Sequence, residues 1–162
     1  MQALVFSLFQ WFEQISWTKA IEDSRWMSPG IWVSHFFGLF LLVGTSAIIN
    51  LRILGLAARS ASVAELAERL FPFTWVGYSI AILTGFILFA PDATAFIPSV
   101  LFWFKLLAIL LGTGSTLIIH WNVRKWDQTP DLPVSAKLTA VISLVLWLGA
   151  ILLASAGINY GY

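Results

Sequence analysis

His35 and His120 are the two histidines of this 162-residue chain, and each sits in a long apolar run. An imidazole held in lipid can hydrogen-bond between helices, carry a proton, or ligate the iron of a b-type haem. Lys105, inside FWFKLLAILLGTG, breaks the third run. It can snorkel to the headgroups, or turn inward to pair with a haem propionate, a quinone carbonyl or an anionic intermediate. Asn50 and Arg52 close the first run, and Thr116 stands one turn before His120. His35 and Lys105 thus form one polar level, and Asn50, Arg52 and His120 a second. Fifteen residues separate His35 from Asn50 and Lys105 from His120, which leaves each pair only about 60° apart around its helix. Both levels can face one bundle interior. The plainer roles are a positive-inside anchor for Arg52 and interhelical hydrogen bonding for Asn50, His120 and His35.

These residues are positioned by four apolar runs centred near Leu42, Ile82, Leu110 and Leu146. Each is long enough to cross a bilayer, and far longer than the roughly ten-residue strands of a barrel. With 59% hydrophobic residues and 10% charged, the chain has no polar coat for a water-soluble domain of this size. The expected fold is all-α: one integral membrane four-helix bundle over residues 1–162, with lipid as its outer solvent. A net charge of +1 with scattered basic residues excludes nucleic acid as a partner. The absence of cysteine excludes disulfides, iron–sulfur clusters and thiolate-bound haem. No Ser-His-Asp constellation, phosphate loop or dinucleotide fingerprint is present.

Before the spans, QALVFSLFQWFEQISWTKAIEDS mixes aromatics with Gln10, Glu13, Gln14 and Lys19. It reads as an interfacial amphipathic helix over about 3–22, without the basic start and unbroken apolar core of a removed signal peptide. An anchoring helix is the plain reading, and a lateral gate or quinone entrance the sharper one. Spans are expected at about 31–54, 73–89, 99–121 and 134–156, punctuated by Pro29, Pro91, Pro98, Pro130 and Pro133. Ser62 and Glu65 have capping-box spacing, so a separate short amphipathic helix is expected before the second span. Gly77, Ala81 and Gly85, and Gly112, Ser115 and Thr116, make seams for close helix approach, or room for the edge of a porphyrin.

Arg52, Arg59 and Arg69 flank the first connection between spans, and Arg124, Lys125 and Lys137 the third. The second connection and the C-terminal tail have no basic residue. The positive-inside rule then puts both termini outside. Lys19 and Arg25 oppose this, offset by Glu13, Glu22 and Asp23. His35 falls near the outer end of the first span and His120 near the inner end of the third. Their depths then differ by most of the roughly 30 Å core, so they cannot share one haem or one zinc. Each is a candidate metal ligand only at its own level.

The segments HFFGLFLLVGTSAIINLRILG, FPFTWVGYSIAILTGFILF and FWFKLLAILLGTGSTLIIH resemble a family of small four-helix bacterial membrane proteins. That pattern is distantly similar to the copper-resistance CopD-like proteins and the HemJ-type protoporphyrinogen oxidases. HemJ-type proteins carry an essential histidine in an early helix and a lysine near the start of a later one. By resemblance these map onto His35 and Lys105 and imply haem b in a bacterial inner membrane. Two expectations follow. One is a haem b protein that passes electrons between quinol and a partner, with His35 as ligand, Lys105 on a propionate or quinone, and His120 a second ligand or proton acceptor. The other is a cofactor-free accessory subunit whose aromatic surface docks a larger membrane complex. Copper transport is weaker, since the spans lack methionine and clustered histidine. A homo-oligomer could bring a second ligand from another subunit.

Overall fold

The structure is a computed structural model that describes residues 2–22, 24–58, 60–129 and 131–160. Asp23, Arg59 and Pro130, which entered the charge and boundary arguments, lie outside the described residues, as do the side chains of Lys19 and Glu22. The helices are α1 (Gln2–Glu13), α2 (Ser16–Glu22), α3 (Met27–Ile53), α4 (Val63–Phe89), α5 (Val100–Asp127) and α6 (Val134–Tyr160), with a 3₁₀ segment at Ala90–Phe96 between α4 and α5. The fold is an all-α four-helix membrane bundle, and α3 to α6 are each long and apolar enough to span. At 27 or 28 residues they reach about 40 Å, so their ends emerge into the headgroup layers.

Antiparallel hairpins α3–α4 and α5–α6 pack side by side through α3–α6 and α4–α5 contacts, which leaves α3 and α5 diagonal to one another. Ser62 caps α4 by accepting from Glu65 N–H, and Ser99 caps α5 by accepting from Phe102 N–H. Gly55, with φ +74°, ends α3 in the left-handed conformation that glycine adopts without penalty.

The short amphipathic helix expected before the second span is instead the first two turns of α4, which runs on through Pro72. Its buried residues Val63, Ala67, Phe71 and Thr74 form one helical stripe across the proline. Ile49, Ile53, Ile119, Val123, Ala136 and Ala140 cover the first three of these. Burial of that stripe outweighs the one backbone hydrogen bond that proline removes. Along the bundle axis, this aliphatic plug fills the end near Arg52. Asn50 stands beside Ile49 at that same end, and the Thr45 and Thr74 hydroxyls occupy the middle. Aromatic rings fill the opposite end, where α1 packs on the 3₁₀ segment and sets Phe9 on Phe89 and Phe12 on Phe86 at the end of α4.

Candidate functional site

Two glycines set how α3 meets α4. A Cβ on Gly38 would stand 2.8 Å from Ala81 N, and one on Gly77 would stand 2.6 Å from Leu42 N. Only glycine permits such contact between backbones. The same register places the Thr45 and Thr74 hydroxyls 2.7 Å apart, and it brings the His35 ring to Thr84 and Gly85.

His35 Nδ1 lies 3.0 Å from Thr84 Oγ1, while the Thr84 hydroxyl donates to Ile80 O at 2.5 Å. With the threonine proton committed, the hydrogen-bond pattern assigns the imidazole proton to Nδ1 and leaves Nε2 as the basic nitrogen. Gly85 makes room for the ring, since a Cβ there would come within 3.1 Å of His35 Cε1. Trp32 and Phe36 meet the half-buried imidazole edge-on. This is the tautomer a metal-ligating histidine needs, with the far nitrogen held by a hydrogen-bond partner.

Lys105 stands at the same level on α5. Its Nζ is 5.3 Å from the Phe102 ring centre and 6.0 Å from that of Phe96. Phe102 stacks on Phe89, one turn beyond Gly85 on α4. Such ring contacts are worth about 0.5–2 kcal/mol to an ammonium. Among the described residues no carboxylate pairs with Lys105. The cation therefore keeps its hydrogen-bonding capacity for an anion. Their helices are diagonal in the bundle, and the two side chains are near enough across it to interact electrostatically.

His120 is placed differently. It is exposed, packs against Phe71 with ring centres 4.3 Å apart, and accepts at Nδ1 from Trp75 Nε1–H across 3.3 Å. The proton is thereby assigned to Nε2, the reverse of His35. His120 does not share the bundle interior with His35, as the sequence spacing allowed. The contacts of the two histidines on α4 lie nine to fourteen residues apart, roughly 14–21 Å along the helix. That is less than the depth difference expected from the spans, yet well beyond the roughly 4 Å that separates two nitrogens on one metal ion.

The remaining residues of that level also part company. Asn50, 1% exposed, donates from Nδ2 to Ser143 Oγ at 3.1 Å and Ser46 Oγ at 3.4 Å, and its Oδ1 has no partner. It ties α3 to α6. Thr116 accepts from Trp147 Nε1–H at 3.1 Å instead of meeting His120, and Trp147 packs over Gly112. Arg52 turns away to the end of the bundle, where Nε donates to Ala61 O at 2.8 Å. Among the described residues no three His, Asp or Glu side chains gather to hold a metal ion.

Thr84 does not stand out within its apolar run, yet its spacing marks it. Ten residues separate His35 from Thr45, and ten separate Thr74 from Thr84, the mirror spacing an antiparallel pair requires. Glu13 also has an unforeseen role. Its Oε1 accepts from both Thr94 N–H and Thr94 Oγ1–H at 2.6 Å, which latches α1 to the 3₁₀ segment beside Lys105's aromatic neighbours. No family model, curated protein or solved structure matches this chain.

Proposed function

We propose that this multi-pass membrane protein is a b-type haem protein of the bacterial inner membrane that passes electrons between a quinol and a partner. The observation that carries this reading is the His35–Thr84–Ile80 chain, which leaves His35 Nε2 basic. His35 would hold the iron, and Lys105 a propionate or a quinone oxygen on the same level. When bound, the haem supplies one-electron transfer. The chain orients the imidazole through Thr84, supplies an unpaired cation through Lys105, and excludes water with the rings of Phe89, Phe96 and Phe102. Met27 lies eight residues from His35, about 12 Å along α3, too far to ligate the same iron. A further ligand, where one is used, would be supplied by a second subunit or a partner. The resemblance to HemJ-type proteins through His35 and Lys105 supports the same residues. With the basic connections inside, this site faces the outer leaflet and His120 the inner one.

The test is a reduced-minus-oxidised spectrum with pyridine-haemochrome quantification of protein purified in mild detergent, alongside His35→Ala and His120→Ala. About one haem b per chain, lost only in His35→Ala, is the expected result. Absence of haem after cofactor-supplemented expression overturns it. That outcome would favour the second reading, a cofactor-free accessory subunit, which has one observation on its side: the His35 ring packs directly on Gly85.

A further inference from the structure

The end of the bundle opposite His35 carries a cleft of about 440 Å³ between the α3–α4 and α5–α6 connections, within the range of small-ligand sites. Arg52, Lys137, Asp127 and Asp131 line it. Two cations and two carboxylates therefore share one cavity, and no ion pair joins any of the four to another charged group among the described residues. Two of them are held in place by the fold. Arg52 Nε is anchored on Ala61 O, and one oxygen of Asp127 accepts from Val63 N–H at 3.0 Å. Among the described residues no hydrogen bond takes the terminal guanidinium nitrogens of Arg52 or the second oxygen of Asp127, which remain for a ligand. Ile53 and Leu132 add apolar wall.

We propose that this cleft binds the headgroup of a phospholipid that carries a primary amine, of the phosphatidylethanolamine class. Arg52 and Lys137 take the phosphate, because guanidinium and ammonium donors match its oxygens. Asp131 and Asp127 take the ammonium. The site lies where four spanning helices end, at headgroup depth, so a lipid arrives with its phosphate and amine already at this level. A quaternary choline group has no N–H to give a carboxylate, and a glycerol headgroup has no positive charge. The carboxylates therefore select the primary amine. An anion site alone would need neither aspartate.

The test reconstitutes purified wild-type protein, Arg52→Gln, Lys137→Gln and Asp131→Asn into nanodiscs of equimolar phosphatidylethanolamine, phosphatidylcholine and phosphatidylglycerol. Lipid retained after detergent extraction is read by native mass spectrometry, with a thermal melt of each variant as the folding control. Wild type should retain phosphatidylethanolamine about tenfold over the other two, as loss of one charge-assisted contact implies. Arg52→Gln and Lys137→Gln should lose retention of all three. Asp131→Asn should lose the preference while still retaining phosphatidylglycerol. Equal retention of the three lipids by wild type, a preference for phosphatidylglycerol, or a preference unchanged in Asp131→Asn would each overturn the proposal. Displacement of the retained lipid by an equal concentration of free O-phosphoethanolamine would overturn the lipid assignment in favour of a soluble ligand. Lys137 is exposed, so its variant reports on binding even if Arg52→Gln fails to fold.

Discussion

His35 and Thr84 meet across 3.0 Å between two helices whose backbones touch at Gly38 and Gly77. The threonine thereby decides which imidazole nitrogen is free. Thr84→Val keeps the shape and removes the acceptor. Haem affinity should fall about 10- to 100-fold, as for other losses of a partner behind a metal-ligating histidine. Haem titration of the apo protein, followed by absorbance, measures it. An unchanged affinity would show that Thr84 does not orient the ligand.

The α3–α4 contact makes a stability prediction. Gly77→Ala must push Leu42 and Leu41 away, because a Cβ there has backbone at 2.6 Å. A loss of about 1–3 kcal/mol is expected from such overpacking, read as a shift in unfolding by SDS titrated into mild detergent. Gly44→Ala is the control, since nothing lies within 4 Å of a Cβ at that position.

Asn50 and Ser143 join α3 to α6 through a buried hydrogen bond of 3.1 Å. Asn50→Ala, Ser143→Ala and the double variant should give a coupling energy of about 0.6 kcal/mol, typical of interhelical bonds in lipid. The coupling is modest despite full burial because the same groups find other partners when the helices separate within the membrane. A coupling above about 2 kcal/mol would instead mark Asn50 as the centre of a larger network.

Glu13 is the latch of the N-terminal helix. Both of its Thr94 bonds are charge-assisted. Glu13→Ala should raise amide exchange in Phe6–Phe12 about tenfold while α3 to α6 exchange as before. Hydrogen–deuterium exchange with peptide mass analysis reads this directly. Equal exchange in the two proteins would mean that the Phe9 and Phe12 rings hold α1 without the carboxylate.

His120→Ala, finally, should leave haem content unchanged and alter only the surroundings of Trp75, whose indole N–H loses its acceptor. Tryptophan fluorescence and the haemochrome assay together check this. Loss of haem in His120→Ala would refute the assignment of the ligand to His35.

The legible part of the fold was its solvent and its segments. A spanning helix needs about 20 apolar residues whatever it packs against, so the runs around Leu42, Ile82, Leu110 and Leu146 announced themselves. The capping box at Ser62 and Glu65 marks where a helix starts but not how far it runs: the stripe of Val63, Ala67, Phe71 and Thr74, which carries α4 on into the span, is valuable only once Ile53 and Val123 are there to cover it. His35 and Lys105 were legible as polar residues in apolar runs. Their states were not, because those depend on Thr84, Phe96 and Phe102, all on other segments of the chain.

By itself the sequence determined that four helices cross a membrane, where the ionisable residues fall along them, and that no cysteine chemistry occurs. Hydropathy, length and composition are sums over local residues, and lipid acts on them in much the same way whichever neighbours a helix has. The tertiary structure alone decided that Thr84 partners His35, that His120 faces outward to Trp75, and that Arg52 shares an end cleft with Asp127. The physical reason is rotation and register. A hydrogen bond forms only within about 3 Å, and which side chains come that close is set by the contact of Gly38 with Gly77 and by the diagonal placement of α3 and α5.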